Sequence, residues 1–252
     1  MKKSFLSWVA FMFCTAMIAP TDTATKIELS IKALPEPYRG QVLVSIQKQY
    51  TDFYRDLTVV LENTEPELLV LVDKAHALPE NYIPNDLVLL DSAQVVLNKK
   101  DMQARRIAAQ ALYTMVHAAQ AQGITISVSS AYRSYAYQES LFSMYVKEMG
   151  EEAASRVSAK PGHSQHQLGT AFDFGSVTNE FAKTRAGKWL TQNARNYGFS
   201  LSYPEGLEEL TGYSWESWHY RFIGVKAALF EQKYFLGIQQ LMLLFLHTYL
   251  KA

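Results

Sequence analysis

Apolar positions along the chain alternate between helical and strand spacing. Tyr50, Phe53, Tyr54, Leu57, Val60 and Leu61 recur at three- and four-residue intervals, so residues 25–70 are predicted to hold one or two amphipathic helices that pack on a domain or space it from a membrane. Pro79, Pro84 and Asn85 break up residues 77–90 into an irregular connection ending in an extended segment over 87–90. From Asp101 onward Ala104, Ala108, Ala111, Leu112, Met115, Ala118 and Ala119 predict a core helix, with Asp101 as N-cap and Gly123 as its stop. Ile124, Ile126 and Val128 then alternate as a strand, and a turn over 129–135 leads into a helix facing inward through Leu141, Phe142, Tyr145 and Val146.

After a polar stretch over 150–162, residues 170–174 predict a strand, and Ala186, Trp189, Leu190, Asn193, Ala194 and Tyr197 a helix stopped by Gly198. Residues 199–203 and 218–222 supply further strands. Ile238, Leu241, Met242, Phe245, Leu246 and Tyr249 mark a C-terminal amphipathic helix, which Gln239, Gln240 and His247 make a poor membrane span. Strands and helices follow one another without an even βαβ rhythm, so the expected fold is α+β, a small mostly antiparallel sheet packed with helices.

At 252 residues and 48% hydrophobic content the chain is long enough for one good-sized core. Its 24 basic residues equal its 24 acidic ones, so no overall field recruits nucleic acid or an anionic membrane. Met1, Lys2 and Lys3 precede an apolar run over residues 5–19, the form of a signal peptide or N-terminal anchor over 1–24, and export to the periplasm or cell envelope is the expectation. The single cysteine, Cys14, lies in that run behind residues too bulky for a lipoprotein signal, so the remaining chain has no disulfide and no thiol nucleophile.

With cysteine excluded, histidine and carboxylate are the zinc ligands left to the chain. His166 precedes Asp173 by seven positions, with Gly169 allowing a tight turn between them, and Trp215-Glu-Ser-Trp-His219 follows. His166, Asp173 and His219 supply three ligands and an open position, and Glu216 is placed to take a proton from water. Taken alone, a histidine in a Gly/Ser-rich stretch is more often a polar loop residue than a ligand, and Asp173 also reads as a turn cap. His163 reads as a loop or supporting residue, and His76, His117 and His247 are isolated and carry no assignment.

Three motifs in order narrow the alternatives: Ser130-Ala-Tyr-Arg133-Ser-Tyr-Ala-Tyr-Gln138, Ser164-Gln-His166-Gln-Leu-Gly-Thr-Ala-Phe-Asp173 and Glu216-Ser-Trp-His219-Tyr-Arg221. Together they resemble the signatures of the VanY-like D-alanyl-D-alanine carboxypeptidases, zinc peptidases of bacterial cell-wall peptides that include related LD-carboxypeptidases. Flanking segments extend the resemblance over roughly residues 70–250. The resemblance implies a bound Zn2+ held by His166, Asp173 and His219, with Glu216 as catalytic base. It also implies Arg133, Gln138 and Ser164 near the terminal carboxylate of a peptidoglycan stem peptide, and Trp218 in the cleft. A guanidinium suits that task because it offers a planar charged fork to a carboxylate. Ser217, Ala131 and Ser202 depart from the residues usual in the family, proline, glycine and arginine, and leave fine specificity open. The expected organisation is a helical leader over 25–70 and a zinc carboxypeptidase domain over 71–252. The expected activity is removal of a terminal D-alanine. The alternatives are L,D-carboxypeptidase action on tetrapeptide stems, or a zinc-containing binding module without turnover.

Overall fold

The computed structural model describes residues 21–252; the apolar run over 5–19, with Cys14, lies outside the described residues. Helices α1 (Thr21–Lys32), α2 (Tyr38–Gln47) and α3 (Tyr50–Asn63) open the described chain, three where one or two were expected. They are followed by strands β1 (Leu87–Leu89), β2 (Val96–Leu97) and β3 (Gln103–Arg105) and by α4 (Arg106–Gln120). Here the expectation from Asp101 needs correction: Asp101 sits at φ 57°, Gln103–Arg105 pairs antiparallel with β1, and Arg105 occupies the N-cap position. Ala104 is fully buried in that strand. Strand pairing claimed the first turn of a sequence whose alanines fit either spacing.

Next come β4 (Ser127–Ser130), α5 (Tyr135–Met149), the short α6 (Glu151–Val157) within the stretch read as polar, and β5 (Ala171–Phe174). Helix α5 starts because Ser134 caps it, its hydroxyl accepting from the Tyr137 N–H at 3.1 Å. Its expected apolar face is only half buried, and Gln138 is its one fully buried side chain. The chain closes with α7 (Arg185–Asn193), β6 (Phe199–Leu201), α8 (Glu208–Thr211), β7 (His219–Phe222), α9 (Val225–Tyr234) and α10 (Gln239–Lys251).

Five strands form one sheet in the order β2, β4, β5, β7, β6, antiparallel except for the β2–β4 pair. Because side chains alternate across a strand, Val128, Phe172, Phe174, Phe199, Tyr220 and Phe222 point to one face. There they share a core with Leu112, Met115 and Leu190 of α4 and α7. Burying one such side chain is worth about 1.5–3 kcal/mol. A second core joins Ile27, Val42, Phe53 and Leu57 of α1–α3 to Phe230, Leu241, Phe245 and Leu246 of α9 and α10. The segment expected as a leader is therefore packed against the C-terminal helices.

On the sheet's other face, alternation leaves Asp173, His219 and Arg221. Register then fixes neighbours: Ser130 faces Asp173 across β4–β5, and Asp173 faces His219 across β5–β7. Three polar side chains stand in a row across the middle of the sheet.

Candidate active site

His166 reaches this row from a 3-10 turn, Gln165–Leu168, that Ser164 caps by accepting from the His166 N–H at 3.3 Å. Gly169 ends the turn in the left-handed region at φ 69°, and a Cβ there would stand 3.0 Å from Leu87 Cδ2 and 3.1 Å from Arg105 Cγ. Only glycine satisfies both the angle and the close approach.

The ligand atoms offered by His166, Asp173 and His219 lie within 4.8 Å of one another, and all three residues are buried. His166 Nδ1 lies 2.6 Å from the Ala131 carbonyl, which can only accept, so this nitrogen carries the proton and Nε2 presents its lone pair. That lone pair stands 3.3 Å from Asp173 Oδ2. His219 Nε2 lies 3.2 Å from Gln165 Oε1, which leaves Nδ1 facing Asp173 Oδ1 at 3.1 Å and Glu216 Oε2 at 3.5 Å. Nitrogen lone pairs turned toward carboxylate oxygens repel unless a cation lies among them, so the donor set fits a bound metal ion, and two imidazoles with one carboxylate suit zinc. Arg133 already meets this demand in part, its Nη2 donating to Asp173 Oδ2 at 2.8 Å and standing 2.7 Å from His166 Nε2. Burial and the Arg133 charge lower the His166 pKa to about 4, keeping the ring neutral.

Glu216 is brought beside His219 by a turn in which the Glu216 N–H donates to the Tyr203 carbonyl at 3.0 Å. Asn179 clamps that turn, donating to the Trp215 carbonyl at 3.1 Å and accepting from the Ser217 N–H at 3.2 Å. Proline at position 217 could not make the second bond, so the serine found there has a structural use. Burial, reinforced by the charge of Asp173, raises the Glu216 carboxyl well above its ordinary value, while Arg133 pulls it back. A carboxyl held in this way is suited to accept and return a proton.

Arg133 is fixed by three further features. Its Nε donates to Ser130 Oγ at 3.0 Å, its Nη1 to Gln138 Oε1 at 3.1 Å, and its backbone N–H to the His166 carbonyl at 3.2 Å. Gln138 is fully buried, and its amide also donates to Ser158 Oγ and the Ala159 carbonyl. It therefore bears on a ligand through Arg133 and not by direct contact. Ser164 is buried at the turn's start with its hydroxyl oxygen engaged as cap. Trp218, in the turn just before β7, is half-buried and packs against the first core, to which Tyr220 also belongs. The aromatic walls beside His219 are Tyr203, with ring centroids 4.8 Å apart, and behind it Tyr213.

His163 bonds the Asp73 carbonyl at 2.8 Å and His76 pairs with Asp73 and His247, so neither joins the trio. Sequence reasoning passed over Asn179, Gln165 and Gln239. The available signal for Gln239 was a polar residue opening an apolar helix, used only to argue against a membrane span.

Residues 101–225 match the family model described as VanY, D-alanyl-D-alanine carboxypeptidase. A Bacillus subtilis (strain 168) protein named as a carboxypeptidase, YodJ, is 39% identical over 73% of this chain and 70% of its own length. A bifunctional D-Ala-D-Ala dipeptidase and carboxypeptidase of Enterococcus gallinarum, VanXYC, is 32% identical over 62% of this chain and 84% of its own. The chain belongs to the VanY family of D-alanyl-D-alanine carboxypeptidases. Among solved VanY-family and related structures, the LdcB LD-carboxypeptidase superposes with a TM-score of 0.62 at 38% identity, covering 69% of this chain and 88% of that one. A variant of the vancomycin-resistance D,D-pentapeptidase VanY, in complex with Zn(II), superposes with a TM-score of 0.57 at 29% identity, over 68% and 96%. The α+β architecture and the His-Asp-His cluster on the sheet agree with VanY-family membership.

Proposed function

We propose that this VanY-family hydrolase is a zinc carboxypeptidase that removes the terminal D-alanine from peptidoglycan stem peptides. The observation that carries the reading is the buried trio His166, Asp173 and His219 with the raised carboxyl of Glu216 3.5 Å from His219 Nδ1. His166, Asp173 and His219 would hold the zinc ion, which when bound would lower the pKa of a water and polarise the scissile carbonyl. Glu216 takes the proton as the water oxygen adds to the carbonyl carbon, then gives it to the departing amine as the C–N bond breaks. Arg133 meets the substrate's charge, held in position by Ser130 and Gln138. Ser164 stands at the start of the ligand-bearing turn, where its hydroxyl proton is free to donate. The first residues, lysines followed by an apolar run, favour export to the cell envelope, where stem peptides are found.

A second reading, cleavage of the L,D bond of tetrapeptide stems, is favoured by the higher identity to LdcB, 38% against 29% for the VanY variant. Mass analysis of products from defined penta- and tetrapeptide stems separates them. The D,D reading expects pentapeptide to become tetrapeptide, whereas conversion of tetrapeptide to tripeptide alone supports the L,D bond. Glu216→Gln is expected to retain zinc and lose about 10²- to 10⁴-fold in kcat; undiminished hydrolysis by that variant overturns the mechanism.

A further inference from the structure

Resting on the zinc reading above, we infer that Gln239, at the first turn of α10, together with Gln165, forms a buried amide relay that sets the tautomer of His219 and so holds its Nδ1 ready for the metal. Helix α10 lies beyond residues 101–225, which match the family model.

The relay has a direction that can be read from its far end. The Ser200 carbonyl can only accept, and Gln239 Nε2 donates to it at 3.3 Å, so Gln239 must turn its oxygen the other way. That oxygen receives the amide N–H of Gln165 at 3.2 Å, so Gln165 in turn must present its own oxygen toward His219. Gln165 Oε1 stands 3.2 Å from His219 Nε2 and accepts a second bond from Ser202 Oγ at 2.7 Å. Facing a fixed acceptor, Nε2 keeps the ring proton and Nδ1 keeps the lone pair, on the side where Asp173 Oδ1 lies 3.1 Å away.

Every member is out of water: Gln239 is 1% exposed and Gln165, Ser202 and His219 are each 3% exposed. A buried amide that flips leaves two mismatched pairs, which is costly in a low-dielectric interior. The order of amides is therefore locked by one backbone carbonyl of β6. Through it the C-terminal helix, which packing alone would explain as a lid on the second core, becomes a positioning element of the metal centre. Gln240, the next residue, ties the same helix turn to Asp73 Oδ2 at 2.7 Å and keeps Gln239 in place.

The test measures zinc dissociation constants of the full chain by competition with a chromogenic chelator. Circular dichroism and thermal melts of the metal-free forms serve as controls on folding. Gln165→Leu removes the acceptor and is expected to weaken zinc binding by about 10- to 100-fold. Gln239→Leu leaves Gln165 in place but unlocks its orientation, and is expected to weaken binding by a smaller factor. Gln165→Glu keeps an acceptor toward His219 that no longer depends on α10. It should bind zinc close to the parent, and Gln239→Leu added to it should change little. In the zinc-loaded parent, the His219 ring proton is expected as a slowly exchanging resonance that moves in Gln239→Leu, which carries the test should Gln165→Leu fail to fold. Parent-like zinc affinity in Gln165→Leu, Gln165→Glu as weak as Gln165→Leu, or an unmoved ring resonance in Gln239→Leu overturns the relay. A parent chain that takes up no zinc overturns instead the metal reading on which the relay rests.

Discussion

Glu231 offers a quantitative test of how the sheet's second face is held. It lies in α9 with 5% exposure, and its Oε2 has no hydrogen-bond partner. Burial raises its pKa from 4.5 to about 7, although Ser200 and the charge of Arg195 pull the other way. Between these values the folded chain keeps a proton that the unfolded chain has released. The contribution of Glu231 to stability is therefore full below 4.5, falls as pH rises and is lost once pH passes about 7. The gap is worth about 3 kcal/mol, at about 1.36 kcal/mol per pH unit. For a chain of this length that corresponds to roughly 6–12 °C in Tm. Glu231→Gln cannot ionise, so it should melt well above the parent at pH 8 and close to it at pH 5. Calorimetric melts of both proteins at the two pH values, with a chelator present throughout, measure the difference. The reasoning is refuted if the gap between variant and parent is the same at pH 5 and pH 8, because the buried carboxyl would then not be what titrates.

Three other outcomes follow from the site and the core. Arg133→Lys cannot serve Ser130 Oγ, Gln138 Oε1 and Asp173 Oδ2 together, so kcat/KM on stem peptides should fall by about 10- to 100-fold; steady-state kinetics with a parent-like value would contradict this role. Gly187→Ala places a Cβ 2.1 Å from the Phe181 carbonyl oxygen, backbone that cannot swing aside, and should cost at least about 2 kcal/mol in urea unfolding. Saturating zinc at about 1,000 times its dissociation constant should stabilise the chain by about 4 kcal/mol, because the three ligands converge only in the folded state; a Tm that chelation leaves unchanged would argue against the site.

The sequence by itself carried the chemistry and the broad architecture. With cysteine absent after position 14, His166, Asp173, His219 and Glu216 were the ligand and base types available, and alternating apolar residues announced β4, β5 and β7. Gly169 was legible because a tight turn needs a residue free to take positive φ, here 69°.

What sequence could not supply were facts that depend on which strands are neighbours. Only the β5–β7 register sets Asp173 opposite His219. Ala104 fitted the helical spacing of the alanines that follow it, and pairing of residues 103–105 with β1 made a strand there while the helix stands over Arg106–Gln120. Gln138 and Gln239 look like surface residues to any local pattern. Each is buried because a partner distant in sequence, the Ala159 carbonyl 21 positions from Gln138 and Gln165 74 positions from Gln239, satisfies its amide. Local periodicity reports which side of an element avoids water, whereas hydrogen-bond partners and lone-pair directions are fixed by contacts that form only when the whole chain has folded.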